Sequence, residues 1–257
     1  MRITVIGLGE AGSIYASALT DQGHTVTGYD PGPAPTPQGI ERAGSATAAV
    51  EGAELVLVLT SASVGPAVAE SVLDSLGEGI VYADCTSATP EAMRTMGATV
   101  EETGARFADV AILGPMNIGG ATTDLIASGA GAALVERVCG PLGAHVEVLA
   151  GAPGEATARK LLRSTLMKPL ASVVCEAVVA GRAAGVEAWV REQVAAQLTG
   201  GEELVDRFLN GTVKHAARRA QEVNSTAAYL DSLGVPNEMA KASEQTLRRL
   251  EANGRQG

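Results

Sequence analysis

The first 31 residues, MRITVIGLGEAGSIYASALTDQGHTVTGYDP, contain the pattern that decides the fold. An apolar run at 2–6 predicts a buried strand, and the segment from about Glu10 to Gln22 predicts a helix. A second strand is predicted at 25–29, and it ends at a single acid, Asp30. Strand, turn, helix and strand in this order indicate a βαβ unit of a parallel sheet.

Three glycines in G-x-G-x-x-G spacing fill the turn between the first strand and its helix: Gly7, Gly9 and Gly12. In that spacing the first glycine permits a tight turn, the second lets a pyrophosphate approach, and the third lets helix and strand pack closely. The helix start then offers free N–H groups to phosphate oxygens. Asp30 lies at the distance expected for an acid that binds the adenosine ribose hydroxyls, so the unit predicts a dinucleotide site.

NAD is the favoured cofactor. The 2′-phosphate of NADP needs a basic residue near that ribose, and Asp30 would repel it. Residues 31–41 contain no basic residue, and Arg42 is the first. NADP is the alternative if Arg42 moves towards the ribose. The predicted cofactor contacts are Gly7, Leu8, Gly9, Glu10, Ala11, Gly12, Tyr29, Asp30, Leu59, Thr60, Ser61 and Thr86.

Composition excludes several classes of function. A net charge of −10 and the absence of a basic stripe argue against nucleic acid and anionic membranes as partners. Cys85, Cys139 and Cys175 form neither a metal-binding spacing nor a disulfide framework, which favours a reducing, cytoplasmic location. The start reads as a buried strand rather than a signal peptide, and no apolar run is long enough to predict a membrane span.

Strand and helix patterns alternate as far as about residue 153. Further strands are predicted at 53–59, 79–85, 105–113 and 144–150, with helices such as 64–76 and 90–103 between them. From about 155 to 183 the apolar spacing is that of a long helix, which Pro169 is expected to kink or interrupt. Only helical patterns follow, with breaks at 200–201, 210–211 and 234–236. We therefore predict an α/β Rossmann N-terminal domain (1–153), followed by a long connecting helix and an all-α C-terminal domain (154–257).

Lys160, Ser164 and Lys168 are spaced four apart in the predicted long helix, so they share one face. Lysines on a helix are usually solvated. Here the neighbouring residues are apolar, and a lysine held on such a helix beside a cofactor can have its pKa lowered towards neutrality.

Four segments make the chain resemble the β-hydroxyacid dehydrogenases. This group includes 3-hydroxyisobutyrate dehydrogenase, 6-phosphogluconate dehydrogenase and the related imine reductases. The chain is most similar to a poorly characterised branch with its own C-terminal helical domain. The segments are GLGEAG (7–12), DCTSATP (84–90), ADVAILGPMNIGGA (108–121) and GAPGEATARKLLRS (151–164). The last is similar to the family's G-x-G-x-x-x-K-x-x-x-N motif.

The resemblance implies roles for individual residues. Lys160 is implied as the catalytic general acid–base, and Ser164 stands where the family has a catalytic asparagine. The implied substrate-binding residues are Thr86, Ser87, Gly114, Pro115, Lys168 and His215. His215 and Glu222 are similar to a pattern of the branch, with a capping or packing role for His215 as the alternative.

Two departures bear on the substrate. Serine replaces the family's asparagine at 164, and Leu113-Gly114-Pro115 replaces its Ser-Gly-Gly, which removes a hydroxyl and a backbone N–H that hold the substrate carboxylate. The small 3-hydroxy acids are therefore in doubt as substrates, although an oxidoreductase of the group is not.

The sequence is compatible with three alternative functions. The first is NAD(P)-dependent hydride transfer to or from a small hydroxy acid or related alcohol or carbonyl, with an anionic small-molecule substrate and Lys160 as acid–base. The second is imine reduction on the same fold. The third is an NAD-binding protein without catalysis. The resemblance, together with a small helical domain rich in Ala, Val and Leu, also implies a homodimer that completes each active site.

Overall fold

The computed structural model describes residues 1–86, 88–199 and 212–254. The chain divides into two compact units, one from Met1 to Arg163 and one from Ser164 onward. The division falls inside a long helix. Each unit is described by itself.

The first unit contains one eight-stranded sheet with the strand order β3-β2-β1-β4-β5-β6-β7-β8. Pairing is parallel throughout except between β6 and β7. The strands are β1 (Arg2–Ile6), β2 (Thr25–Tyr29), β3 (Glu41–Arg42), β4 (Leu55–Val58), β5 (Val81–Asp84), β6 (Arg106–Ile112), β7 (Leu125–Ser128) and β8 (Val146–Val148). The order reverses between β1 and β4, which is the point where open α/β sheets bind ligands at the carboxyl ends of their strands.

Six helices accompany this sheet: α1 (Glu10–Asp21), α2 (Ala46–Val50), α3 (Gly65–Val72), α4 (Pro90–Glu101), α5 (Met116–Gly119) and α6 (Ala132–Cys139). Single 3₁₀ turns occur at Leu73–Ser75, Gly120–Thr122 and Gly140–Leu142. The long helix α7 (Glu155–Ala183) follows. The predicted fold class, a Rossmann domain followed by a long helix and a helical domain, is confirmed.

Side chains alternate between the two faces of the sheet along each strand, and both faces are buried in apolar clusters. Ile3 and Val5 of β1 pack in one apolar cluster, while Ile6 packs in another on the opposite face. The second cluster also contains Tyr82 and Phe107, whose stacked rings lie with centroids 6.0 Å apart. Aliphatic side chains form most of both clusters, as expected for a chain with only 3% aromatic residues.

The parallel sheet indicated by the βαβ pattern has one antiparallel pair, because β7 runs antiparallel to β6. The segment between these strands contains only the four-residue α5 and one 3₁₀ turn, too little for the covering crossover that a parallel partner needs. The short elements β3, α2, β7 and α6 were not predicted.

Pro169 is predicted to kink or interrupt the long helix; it does not interrupt it, since α7 is one helix from Glu155 to Ala183 with the proline inside it. Proline removes one N–H, and the remaining hydrogen bonds of a 29-residue helix persist. By length and composition alone, α7 is one helix that could cross a membrane. Long apolar helices of proteins outside membranes have the same length and composition.

The second unit contains the rest of α7 and three further described helices: α8 (Glu187–Gln197), α9 (Ala216–Ser232) and α10 (Glu238–Gly254). The Glu176 carboxylate of α7 accepts hydrogen bonds from the N–H groups of Met239 (2.8 Å) and Ala240 (3.0 Å), which caps the start of α10. The breaks predicted at 200–201 and 210–211 lie outside the described residues.

Candidate cofactor and active site

The glycine loop after β1 has the backbone geometry that its spacing predicts. Gly7 has φ +93°, a left-handed conformation, and a Cβ placed there would lie 2.7 Å from the Leu59 carbonyl oxygen. A Cβ on Gly12 would lie 1.7 Å from the Gly7 carbonyl oxygen. Glycine is therefore required at both positions, for the turn and for the close packing of α1 on the loop.

Gly9 differs from the other two glycines, because a Cβ built on it meets nothing within 4 Å. The open space faces a cleft of about 630 Å³ that Gly7 and Gly9 line together with Asp30. An open backbone beside the start of α1 fits the pyrophosphate of a dinucleotide. The residues present are thus those that a nicotinamide dinucleotide requires.

Asp30 follows β2 directly and is half-buried. One carboxylate oxygen accepts a hydrogen bond from the Leu8 N–H (2.8 Å), and the other accepts one from the Gly32 N–H (2.7 Å). The carboxylate is thus fixed between the glycine loop and the segment after β2, at the edge of the cleft.

The cleft brings together seven of the twelve predicted cofactor residues: Gly7, Gly9, Tyr29, Asp30, Leu59, Thr60 and Ser61. The other five do not line it: Leu8, Glu10, Ala11, Gly12 and Thr86. Polar lining residues that the sequence did not reveal are Ser45, Thr47 and Ser71. Of these three, Ser45 could have been recognised in the sequence as the N-cap residue of a helix. In the structure its side chain accepts a hydrogen bond from the Ala48 N–H.

Asp84 ends β5 and is completely buried. Its Oδ1 accepts hydrogen bonds from the Thr86 N–H (2.8 Å) and hydroxyl (2.6 Å), while its Oδ2 has no hydrogen-bond partner among the described residues. Burial raises the pKa of Asp84 to about 6, against the lowering effect of the Thr86 hydrogen bonds and with a further increase from the Asp109 charge. The Thr86 hydroxyl therefore donates its hydrogen bond to Asp84, a residue of the protein itself.

Asp109 of β6 is a second buried carboxylate, and it holds the beginning of α7. Its Oδ2 accepts hydrogen bonds from the N–H groups of Gly154 (2.9 Å) and Thr157 (3.0 Å) and from the Ser128 hydroxyl (3.3 Å). Its Oδ1 accepts the Thr157 hydroxyl (2.6 Å). A negative charge at this position satisfies the free N–H groups of the helix and opposes their partial positive charge.

Two other features stabilise the beginning of α7. The Ala156 N–H donates to the Ser128 hydroxyl at 3.2 Å. Gly154 has φ +97°, and a Cβ there would lie 2.5 Å from the Pro90 carbonyl oxygen, so the glycine lets α7 begin against α4.

Lys160 lies in the second turn of α7 and is half-buried. Its charge acts on Cys85, the residue after β5. Burial raises the pKa of the Cys85 thiol well above its ordinary value, Asp84 raises it further, and Lys160 lowers it. Asp109, which lies opposite Asp84 in the sheet, holds the start of α7, and Lys160 follows in the next turn of that helix.

The remaining predicted site residues lie in different places. Gly114 and Pro115 follow β6, with Pro115 directly before α5, and Ser87 lies outside the described residues. Ser164, Lys168 and His215 belong to the second unit, where Ser164 is half-buried and the other two are exposed.

His215 does not belong to α9, the helix that contains Glu222. It is the residue immediately before α9, and its side chain makes no capping hydrogen bond. Glu222 instead pairs with Arg218 at 3.7 Å.

Comparison with protein families gives two matches. The NAD binding domain of 6-phosphogluconate dehydrogenase matches residues 2–151, and a domain of unknown function (DUF1932) matches residues 182–250. No curated protein matches the chain.

Solved structures give further matches. The imine reductase of Streptomyces aurantiacus is 22% identical with a TM-score of 0.85, covering 99% of this chain and 95% of its own. The reductive aminase of Aspergillus terreus, solved with NADPH4, cyclohexanone and allyl amine, is 20% identical with a TM-score of 0.82, covering 99% and 94%.

A conserved protein of unknown function, described as structurally similar to 3-hydroxyacid dehydrogenases, is 25% identical with a TM-score of 0.63. The match covers 99% of this chain and 98% of that one. The fold is that of NAD(P)-dependent oxidoreductases.

The raised pKa of Asp84 makes stability depend on pH. As pH rises from about 4 to about 6, the unfolded chain loses this proton while the folded chain keeps it, so Asp84 stabilises the fold at low pH and less at high pH. We expect the unfolding free energy of Asp84→Asn, relative to the unmodified protein, to increase by about 1 kcal/mol between pH 5 and pH 7.5. Urea unfolding at both pH values measures this, and a difference that does not change with pH contradicts it.

The Asp109 contacts predict a large stability effect. Asp109→Asn places an amide where the carboxylate accepts N–H and O–H groups, so we expect a loss of about 1–3 kcal/mol in urea unfolding. Asp124→Asn is the control, since Asp124 is an exposed aspartate just before β7. Equal stability of the two variants would show that Asp109 does not anchor α7.

Proposed function

The chain belongs to the family of 6-phosphogluconate dehydrogenase NAD-binding domains, within the β-hydroxyacid dehydrogenase superfamily, and we propose that it is an NAD-dependent oxidoreductase acting on a small hydroxy acid or related alcohol. The reaction is hydride transfer between the nicotinamide and the carbinol or carbonyl carbon. One observation supports this most directly: the Asp109 carboxylate of β6 holds the start of α7, and Lys160 follows in the next turn of that helix.

Lys160 is the proposed general acid–base. In oxidation its amine takes the hydroxyl proton as the hydride leaves the carbinol carbon, and in reduction its ammonium returns that proton to the carbonyl oxygen. The bound nicotinamide supplies the hydride acceptor or donor. General acid–base catalysis of this kind is worth about 10²–10⁴-fold. Ser164, one turn further along α7, is proposed to orient the lysine or the substrate oxygen.

The substrate is proposed to be a small anion. The substrate-binding residues implied by the family resemblance are Thr86, Ser87, Gly114, Pro115, Lys168 and His215, and among them Lys168 and His215 are the candidates for binding an acidic group. Because Leu113-Gly114-Pro115 lacks the serine hydroxyl of the related substrate loop, we propose a substrate other than the small 3-hydroxy acids.

NAD is the proposed cofactor in preference to NADP. The half-buried Asp30 carboxylate lines the cleft and can accept hydrogen bonds from ribose hydroxyls, whereas a 2′-phosphate would meet a like charge. The three thiols Cys85, Cys139 and Cys175 are free, and we propose a cytoplasmic location for the protein.

We also propose a homodimer. Large apolar side chains that are exposed occur along α7 and the second unit, including Leu162 (68% exposed), Leu166 (63%), Trp189 (61%) and Tyr229 (57%). Exposed apolar surface of this extent favours association, and a second copy would cover it.

The proposed role of Lys160 predicts a specific kinetic change. Lys160→Met keeps the apolar stem and removes the amine, so we expect kcat to fall about 10²–10⁴-fold while Kd for NADH changes little. Lys168→Met is the matched control and should raise KM instead. The assay is NADH formation or consumption with a panel of hydroxy acids, alcohols, ketones and cyclic imines at pH 6–9.

The panel also separates the alternative functions. Turnover of cyclic imines without turnover of alcohols or ketones would favour imine reduction. Binding of NADH without any turnover that depends on Lys160 would favour a non-catalytic protein. Retention of more than about a tenth of kcat by Lys160→Met would contradict the proposed mechanism.

The proposed dimer is tested by sedimentation. We expect twice the 26.0 kDa mass of the chain at micromolar concentration. Trp189→Glu places a charge on the exposed apolar surface and is expected to shift the equilibrium towards monomer. A monomeric unmodified protein would contradict the proposal.

A further inference from the structure

One arginine holds the backbone of the segment that follows β2. The Arg42 Nη2 donates hydrogen bonds to the carbonyl oxygens of Asp30 (2.7 Å) and Gly32 (2.8 Å). The Arg42 Nη1 donates to the Thr36 hydroxyl (3.2 Å) and to the Ala34 carbonyl oxygen. A single guanidinium thus binds four acceptors within seven consecutive residues.

The composition of this segment explains why it depends on a side-chain donor. Its sequence PGPAPTP, residues 31–37, has proline at every second position, and proline has no backbone N–H to donate. The carbonyl groups of Asp30, Gly32 and Ala34 therefore meet few local donors. The planar fork of an arginine carries five N–H groups and can satisfy several acceptors at once, whereas a lysine ammonium has three donors on a flexible stem.

Asp30 is consequently held at both ends. Arg42 binds its backbone carbonyl, and the N–H groups of Leu8 and Gly32 bind its carboxylate. Gly32 takes part twice, since its carbonyl accepts from Arg42 and its N–H donates to Asp30. Movement of Arg42 away from this segment would therefore remove the contact that holds the Asp30 backbone and free the Gly32 carbonyl beside it.

Arg42 does not line the cleft, although Asp30 and Pro31 do. It lies in the edge strand β3, which pairs with β2 in parallel, with Gly28 opposite Arg42. Both Nη atoms already donate to groups of the protein, so binding a phosphate would require Arg42 to give up contacts that order the segment.

We propose that Arg42 is a specificity-determining positioning residue, which orders the 31–36 segment so that the Asp30 carboxylate faces the adenosine ribose and disfavours a 2′-phosphate. It acts through Asp30 and does not itself bind the phosphate. This inference rests on the proposed preference for NAD. In NADP-binding proteins, an arginine near this position can accommodate the 2′-phosphate. The role proposed for Arg42 is the opposite one.

The experiment measures Kd for NADH and NADPH separately, by fluorescence titration of the full-length protein at constant salt concentration. Three variants are compared with the unmodified protein: Arg42→Met, Arg42→Lys and Arg137→Met. The last is the matched control, an exposed arginine in the final turn of α6. Thermal unfolding of each variant checks that the fold is retained.

For Arg42→Met we expect Kd for NADH to rise about tenfold, the equivalent of about 1.4 kcal/mol, because Asp30 is no longer ordered. Kd for NADPH should stay within about twofold or fall, so the preference for NADH decreases. Arg42→Lys should lie between the unmodified protein and Arg42→Met, and Arg137→Met should change neither value.

Three results would overturn the inference. A larger rise in Kd for NADPH than for NADH would show that Arg42 binds the 2′-phosphate. Equal changes for both cofactors would show a general structural role, and no change would show no role. If Arg42→Met fails to fold, the ratio of the two Kd values for Arg42→Lys decides in the same way. Tighter binding of NADPH by the unmodified protein would instead contradict the proposed NAD preference, whatever the variants show.

Discussion

Burying a carboxylate without hydrogen-bond donors is strongly unfavourable, and Asp109 avoids this cost by accepting four hydrogen bonds. Three of them come from Gly154 and Thr157, at and just before the start of α7. The interaction therefore joins β6 of the sheet to the helix that carries Lys160. If this contact were lost, the proposed acid–base would no longer have a defined position relative to the cofactor cleft.

The two buried aspartates, Asp84 and Asp109, differ in the number of hydrogen-bond donors around them. Asp84 and Asp109 are paired positions on adjacent strands. Asp109 has donors for both oxygens, whereas among the described residues Asp84 has donors for one. Burial is the main cause that raises the pKa of Asp84 to about 6. One carboxylate anchors α7, and the other holds Thr86 close to the end of β5.

Local patterns in the sequence indicate which residues of the glycine loop lie near one another. Gly7, Gly9, Gly12 and Asp30 belong to one continuous βαβ unit, so their spacing alone indicates where they meet. The Asp109 contacts could not be predicted in this way, because they join residues 45 and 48 positions apart. The antiparallel strand β7 was missed for a related reason, since four residues, LIAS, carry too little periodicity to be recognised.

The role of Arg42 beside the cofactor cleft could not be predicted from sequence motifs. The sequence identified Arg42 as the first basic residue after β2 and left its role open between a distant residue and a phosphate ligand. The direction of its side chain depends on the fold of the proline-rich segment, which the spacing of the prolines does not specify. In the structure Arg42 donates to that segment, and Asp30 is the charged residue among the described residues that line the cleft.

The central claim is that one helix, held by Asp109, presents Lys160 to a dinucleotide bound on the glycine loop. A crystal structure of the protein with NADH tests it most directly. The account predicts the pyrophosphate at Gly9, the Asp30 carboxylate within about 2.6–3.2 Å of a ribose hydroxyl, and the Lys160 amine facing the nicotinamide ring across the space for a substrate. A structure in which NADH occupies the cleft while the Lys160 side chain points away from the nicotinamide would contradict it.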